Sequence, residues 1–378
     1  MGKRRRKSSK KYPQDWPSYN AAKCNRKRHF RLLLRELCDC VEQPEQVLGR
    51  PRLPLKDVIF CMVYKIYTKW DSRVFTGDAD DARDMGFIEH VPHFNTLSNY
   101  YRKELLTFVL ERLIELSSLP VVPFENKFAV DATGFSTDRY ARWVNVRMSE
   151  EVSRRQWVKV HLISGVETHI VPSVIVCWGH ESQFFGRLVA ATKRNFRMDE
   201  VSADKAYLSD ENILYALLNG AAPFIPFKSN TNINALNRST VWKRMLSLFL
   251  DEPKRFMEHY NKRNNVESTF SSIKNDFGDY VRSSDERAQV NEVLAKVLCH
   301  NLCVLIRCIY ELGLSPKFEA IIDPVAEMMR EPEKLEPIAG GRIDVGLERR
   351  GSAPLNVKRR SREDDIACPQ QLSLFPGG

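Results

Sequence analysis

Three acidic side chains stand out in a chain whose formal net charge is +10. Asp131 closes the apolar run FAV, Asp204 closes VSA, and Glu267 sits among bases in HYNKRNNVESTFSSIKNDFG (259–278). Both aspartates follow short runs with the composition of buried strands, where an uncompensated carboxylate is strongly disfavoured. On neighbouring strands they would repel each other unless a cation stood between them. Mg²⁺ suits that role, because it takes oxygen ligands and a few carboxylates while keeping positions for water and phosphate. Strand-end aspartates also begin ordinary turns, so neither residue identifies a site by itself.

The spacing around Glu267 adds a second constraint. On a helix turning about 100° per residue, Tyr260, Arg263, Glu267 and Lys274 fall within an arc of roughly 60°. Val266, Phe270, Ile273 and Phe277 fall on an adjoining arc. One stripe is expected to pack and the other to run along the edge of that contact. A helix stabilised by surface ion pairs would intersperse more acids among the bases. A glutamate aimed at a metal, with cations on either side to hold phosphates, fits the pattern better.

The elements that must position these residues are readable from periodicity and punctuation. Residues 30–42 and 55–70 are apolar with helical spacing. A short helix is expected near 79–85, a turn from Gly86 to Asn95, and a long helix from Thr96 with Asn95 as its cap. That order resembles a helix-turn-helix, as would any small helical bundle. SSLPVVPFEN (117–126) is a proline-marked joint. Beyond it, 127–135 reads as a strand, 157–166 and 169–178 as a hairpin, 182–196 as a helix, and 200–207 as a short strand ending at Asp204. A helix over 211–220, a strand over 222–228 and helical texture from about 239 to 312 follow. The expected class is α/β, a mixed sheet flanked by helices.

At this point the residues carry a resemblance. Tyr260, Arg263, Glu267 and Lys274 satisfy Y-x2-R-x3-E-x6-K, the signature of a large group of prokaryotic insertion-sequence transposases of the DDE type. VDATGF around Asp131 and SADKAYLS around Asp204 resemble that group's first and second aspartate regions, and WPSYN (16–20) and VPHFNTLSNYY (91–101) its N-terminal part. The likeness covers about residues 12–312. It implies an RNase H-like core in which Asp131, Asp204 and Glu267 are catalytic and bind two Mg²⁺ ions, with Mn²⁺ as a substitute. It further implies hydrolysis at the element's ends, then strand transfer of the freed 3′-hydroxyl into target DNA. Arg263 and Lys274 would hold phosphates and Tyr260 the terminal nucleotide. A base-stabilising aromatic between the second aspartate and the glutamate would fall on Trp242, for which a core position is the simpler expectation. Glu181 in GHESQFF is a candidate extra acid. The alternatives are a catalytically inactive DNA-binding regulator derived from a transposase, and a nuclease of the same fold that only hydrolyses.

The remaining features concern partners. Residues 1–31 hold twelve Lys or Arg against one acid, Asp15, a basic arm suited to nucleic acid. Arg139, Arg142, Arg147, Arg154 and Arg155 alternate with Tyr140, Trp143 and Trp157, which suits phosphate contact and stacking as well as a solvated hairpin. QLSLF (371–375) resembles the peptide by which bacterial proteins dock on the replication sliding clamp. Gln371 would be its polar anchor and Leu372, Leu374 and Phe375 its apolar plug. Expected partners are double-stranded DNA as terminal inverted repeats and target, a second copy in a synaptic homodimer, and that clamp. Cys299, Cys303 and Cys308 with His300 lie in an apolar helical run and read as core residues, while Cys38 and Cys40 lack a second ligand pair at finger spacing. With no secretory leader and no unbroken apolar run near 20 residues, a cytoplasmic, nucleoid-associated protein is expected. The expected division is a basic arm (1–30), a helical DNA-end-binding region (31–122), an RNase H-like DDE catalytic domain (123–312) and a flexible tail (313–378), whose run 340–365 has too little apolar content to fold alone.

Overall fold

The computed structural model describes residues 15–46, 48–49, 51–137, 157–177, 182–228, 231 and 238–330. Arg139, Arg142, Glu181 and the tail residues Gln371, Leu372, Leu374 and Phe375 lie outside the described residues.

The sheet is built from β1 (Lys127–Ser136), β2 (Trp157–Gly165), β3 (Ser173–Cys177), β4 (Glu200–Ala203) and β5 (Ala222–Phe224). Their order across the sheet is β3-β2-β1-β4-β5. β1 is central, antiparallel to β2 and parallel to β4, and β4 is parallel to β5. Phe128, Ala129 and Val130 are fully buried, as a central strand between helical layers requires. This mixed sheet flanked by helices is the arrangement expected of an RNase H-like core.

Among the described residues, five α-helices precede the sheet: α1 (Trp16–Asp39), α2 (Leu55–Thr68), α3 (Phe75–Asp84), α4 (Phe94–Tyr101) and α5 (Glu104–Ser118). Asp15 caps α1 by accepting from Ser18 N–H. Within and after the sheet come α6 (Phe185–Lys193), α7 (Asp210–Leu218), α8 (Thr240–Asp251), α9 (Pro253–Tyr260), α10 (Asn264–Phe277), α11 (Glu286–Leu312) and α12 (Pro324–Met329). α11 is the pillar of the molecule, packed against α1, α2 and α5, and one apolar core joins these helices to the sheet. By length and composition alone it could cross a membrane. Its polar residues Asn291, Lys296, His300 and Asn301 are nevertheless buried among protein, as are Cys299 and Cys308.

Two helices depart from expectation for tertiary reasons. The helix expected to run on from Thr96 is two helices, and α4 is capped by His93, whose ring accepts from Asn95 N–H. The break is held by Asn291 of α11, whose amide donates to the carbonyls of Tyr101 and Lys103. Likewise Tyr260 and Lys274 do not share one helix. A 3₁₀ turn (Asn261–Arg263) separates α9 from α10, where His259 and Lys262 both approach Glu200 at the start of β4, at 2.9 and 2.7 Å. The expected strand over 222–228 is confined to 222–224, and helical structure after 239 is interrupted past Gly278, which adopts φ +86°.

Candidate active site

β1 and β4 run in parallel with Val130 opposite Ala203, so the next residue on each strand is Asp131 and Asp204. The sheet therefore delivers two carboxylates side by side where β4 ends. Asp131 Oδ1 accepts from Ala132 N–H at 2.9 Å. Asp204 Oδ1 accepts from Lys205 N–H at 2.7 Å and so starts the 3₁₀ turn Lys205–Tyr207.

α10 brings the third acid. Val266, Phe270, Ile273 and Phe277 are buried against β1, β2 and α11, the stripe expected from their spacing. Glu267 stands beside that contact with its side chain 57% exposed. Arg263, one turn earlier, joins it to the sheet. One guanidinium nitrogen donates to Glu267 Oε1 and another to Asp131 Oδ2, each at 2.9 Å. Lys274 reaches β1 as well, donating to Thr133 Oγ1 at 2.7 Å and lying 5.5 Å above the Phe135 ring. Asp131, Thr133 and Phe135 alternate along the strand and so share one face. Thr133 was missed from sequence, although its period-two offset from Asp131 in VDATGF was the available signal.

The electrostatics tie these groups into one site. Burial pushes the Asp131 carboxyl above its ordinary range, Arg263 opposes this, and Asp204 and Glu267 raise it further. The Tyr260 phenol is also raised, first by burial, with Arg263 opposing and all three carboxylates adding. Burial alone would lower the Arg263 guanidinium, but Asp131, Tyr260, Asp204 and Glu267 together hold it above its ordinary value. Lys274 is lowered by burial, with Asp279 opposing.

The donor set is composed of carboxylate oxygens, which suits a hard divalent cation. Arg263 is itself a cation standing between two of the three acids, so the site's demand for positive charge is visible in its own contacts. As the side chains stand, no group of three or more His, Cys, Asp or Glu among the described residues is close enough together to hold a metal ion. The carboxylate donors of Asp131, Asp204 and Glu267 are of the type a hard divalent cation takes.

Trp242 occupies a separate small core with Ile213, Phe227 and Leu246 and is only 4% exposed, as the core reading expected. Of the aromatic residues interleaved with arginines, Trp157 is described. It lies partly exposed on β2, against Gly134, where an added Cβ would come within 3.0 Å of its ring.

Among known proteins, residues 123–302 match the family described as the transposase DDE domain. No curated protein matches the chain. Members of that family act on DNA and generally use divalent metal ions. Residues 123–302 are thus similar to the transposase DDE domain, which is consistent with an insertion-sequence DDE transposase.

Proposed function

We propose that this protein is a transposase that hydrolyses a phosphodiester at each end of an insertion sequence and then transfers the freed 3′-hydroxyl into target DNA. The observation that carries the proposal is the convergence of Asp131 and Asp204 from adjacent parallel strands with Glu267, which Arg263 links to Asp131. Asp131, Asp204 and Glu267 would hold two Mg²⁺ ions, or Mn²⁺ in their place. When bound, such ions supply charge stabilisation to the attacking and leaving oxygens of an in-line displacement.

The chain's own groups do the rest. Arg263 and Lys274 are long cations fixed at one end of the site, able to bind non-bridging phosphate oxygens on either side of the scissile bond. Lys274, held on Thr133, keeps its ammonium over β1 and sets the height of the strand above the carboxylates. Tyr260 keeps its phenolic proton in the field of three acids, so it acts as a neutral donor that orients the terminal nucleotide. In this scheme residues 31–122 grip the terminal repeat, 123–312 cut and join, and two copies pair the ends. Arg139 and Arg142 would add phosphate contacts. Gln371, Leu372, Leu374 and Phe375 would dock the tail on the sliding clamp, and a Leu374→Ala/Phe375→Ala chain that captures clamp as well as the parent refutes that docking.

Duplexes carrying the element's terminal inverted repeats, incubated with the protein and Mg²⁺, test the main proposal. Cleavage followed by joining to a target plasmid is the expected result. Cleavage without joining makes it a nuclease, and binding without cleavage makes it an inactive regulator.

A further inference from the structure

A cleft of about 120 Å³ opens beside the end of α2, lined among others by Lys65, Lys69, Trp70, Tyr280, Arg282 and Lys296. Four of these six are cations. Glu292 is the carboxylate in the lining, and its oxygens already accept from the backbone N–H groups of Arg282 and Ser283 and from the Ser283 hydroxyl. Asp71 and Asp279 are close enough to act on Lys65 and Lys296, yet counting them still leaves the cations in excess.

Two of the cations donate to backbone oxygens. Lys296 donates to the carbonyls of Gly278 and Tyr280, and Arg282 donates to the Lys69 carbonyl at 2.8 Å. Lys65 lies 5.4 Å from the Tyr101 ring and donates no hydrogen bond to any described residue. The Lys65 and Lys296 ammonium groups are both lowered, first by burial, with Glu292 opposing and Arg282 lowering them further. Beside them Trp70 leaves its indole 52% exposed, and Lys69 holds the left-handed conformation at φ +64° that presents both side chains at the rim.

The lining of the cleft adjoins the end of the strand that carries Asp131. Ser136, at the end of β1, bridges to Tyr280, and Val281 N–H donates to the Ser136 carbonyl at 2.9 Å. Lys274 and Lys296 lie over the same Phe135 ring, at 5.5 and 5.3 Å. Asp131 and Ser136 are five residues apart on one strand, or roughly 16 Å at about 3.3 Å per residue. A DNA strand rising about 3.4 Å per nucleotide covers that distance in about five nucleotides.

We propose that this cleft is a second DNA-strand site, binding a phosphodiester about five nucleotides from the scissile bond through Lys69 and Arg282, with a base or sugar against Trp70. The assignment deepens the DNA-cleaving function proposed above and rests on it. Excess cations beside an exposed aromatic are what strand binding uses, since phosphates release counterions to the bases and the ring stacks on any nucleobase.

Lys69→Ala and Trp70→Ala test it, because both side chains are exposed and neither substitution should lower the thermal midpoint. Binding of a labelled terminal duplex is followed by fluorescence anisotropy from low to moderate salt. Lys69→Ala is expected to reduce the slope of log affinity against log salt by about 1, and Lys69→Arg to restore it. Trp70→Ala is expected to weaken binding about tenfold. Both differences should vanish on duplexes cut back to two nucleotides beyond the scissile phosphate. If the parent binds and cuts DNA while both variants match it in affinity and slope, the cleft is not a strand site and the cutting function stands. If the parent neither binds nor cuts, the cutting function fails and this assignment fails with it.

Discussion

Replacing Glu267 by Gln separates the chemistry of the site from its architecture. The side chain is 57% exposed, and its hydrogen-bonded partner is Arg263, four residues earlier on the same face. An exposed pair of that kind contributes about 0.3–0.5 kcal/mol after solvent screening. For a chain of this size that is about 0.5 °C in thermal midpoint, and Gln keeps both the volume and an acceptor for Arg263. The effect on reaction should be of another order. If Glu267 is one of three carboxylates holding divalent cations, removing its charge forfeits several kcal/mol of transition-state stabilisation. At about 1.4 kcal/mol per tenfold, a loss of about 4 kcal/mol is a factor of about 10³ in rate. Single-turnover cleavage of an end-labelled terminal duplex in Mg²⁺, beside a thermal melt, reads both numbers. Asp276→Asn is the control, since Asp276 lies half a turn round the same helix and pairs with Arg26 at 2.7 Å. A folded Glu267→Gln protein cutting within tenfold of the parent would refute the assignment.

Three further outcomes follow from contacts around the site. Asn301 is fully buried on α11, accepts from Val171 N–H at 3.0 Å and donates to the Val171 carbonyl at 2.8 Å. Asn301→Ala strands both groups and should cost about 2–4 kcal/mol, read as a lowered urea midpoint at unchanged slope. Burial holds the His300 imidazole down at about 4, whereas the unfolded chain takes up that proton near pH 6.5. The unfolded state therefore binds more protons between those values, and stability falls as pH drops from 6.5 toward 4, by up to about 3 kcal/mol from this group. His300→Gln should flatten that part of the profile, and identical slopes in parent and variant would count against it. Lys274→Met loses the hydrogen bond to Thr133 and should reduce the salt slope of DNA binding by about 1, with Lys274→Arg recovering most of it.

Strand and helix identity was legible wherever a local rule decided it. The run KFAV had to be a buried strand, and it is the central one. The apolar stripe Val266, Phe270, Ile273, Phe277 is buried as its period required. What failed were continuities, and they failed where a distant residue intervened. Nothing near Tyr101 announces a break, because the amide that stabilises it belongs to Asn291, 190 positions away. Nothing in HYNKRNN announces a 3₁₀ turn, because Glu200 on β4 draws in both His259 and Lys262. An arc computed on one straight helix therefore put Tyr260 beside Glu267 for a reason the chain does not use. Tyr260 still comes within the field of the three acids, through the turn.

The same distinction explains the site. The adjacency of Asp131 and Asp204 requires that the FAV and VSA strands pair in parallel with Val130 opposite Ala203, and no local pattern sets that register. It follows once residues between them form a crossover through α6, which brings the chain to the edge of β1 opposite β2, running parallel to β1. Glu267 and Arg263 at i and i+4 were expected to face the same way, and they do. That Arg263 also reaches Asp131 at 2.9 Å could not be expected from that spacing, because it depends on α10 lying across β1. This second contact is the informative one. A guanidinium satisfied by Glu267 alone would be an ordinary surface pair; one shared with the part-buried Asp131 shows that the tertiary fold, and not the helix spacing alone, brings the two carboxylates to one cation.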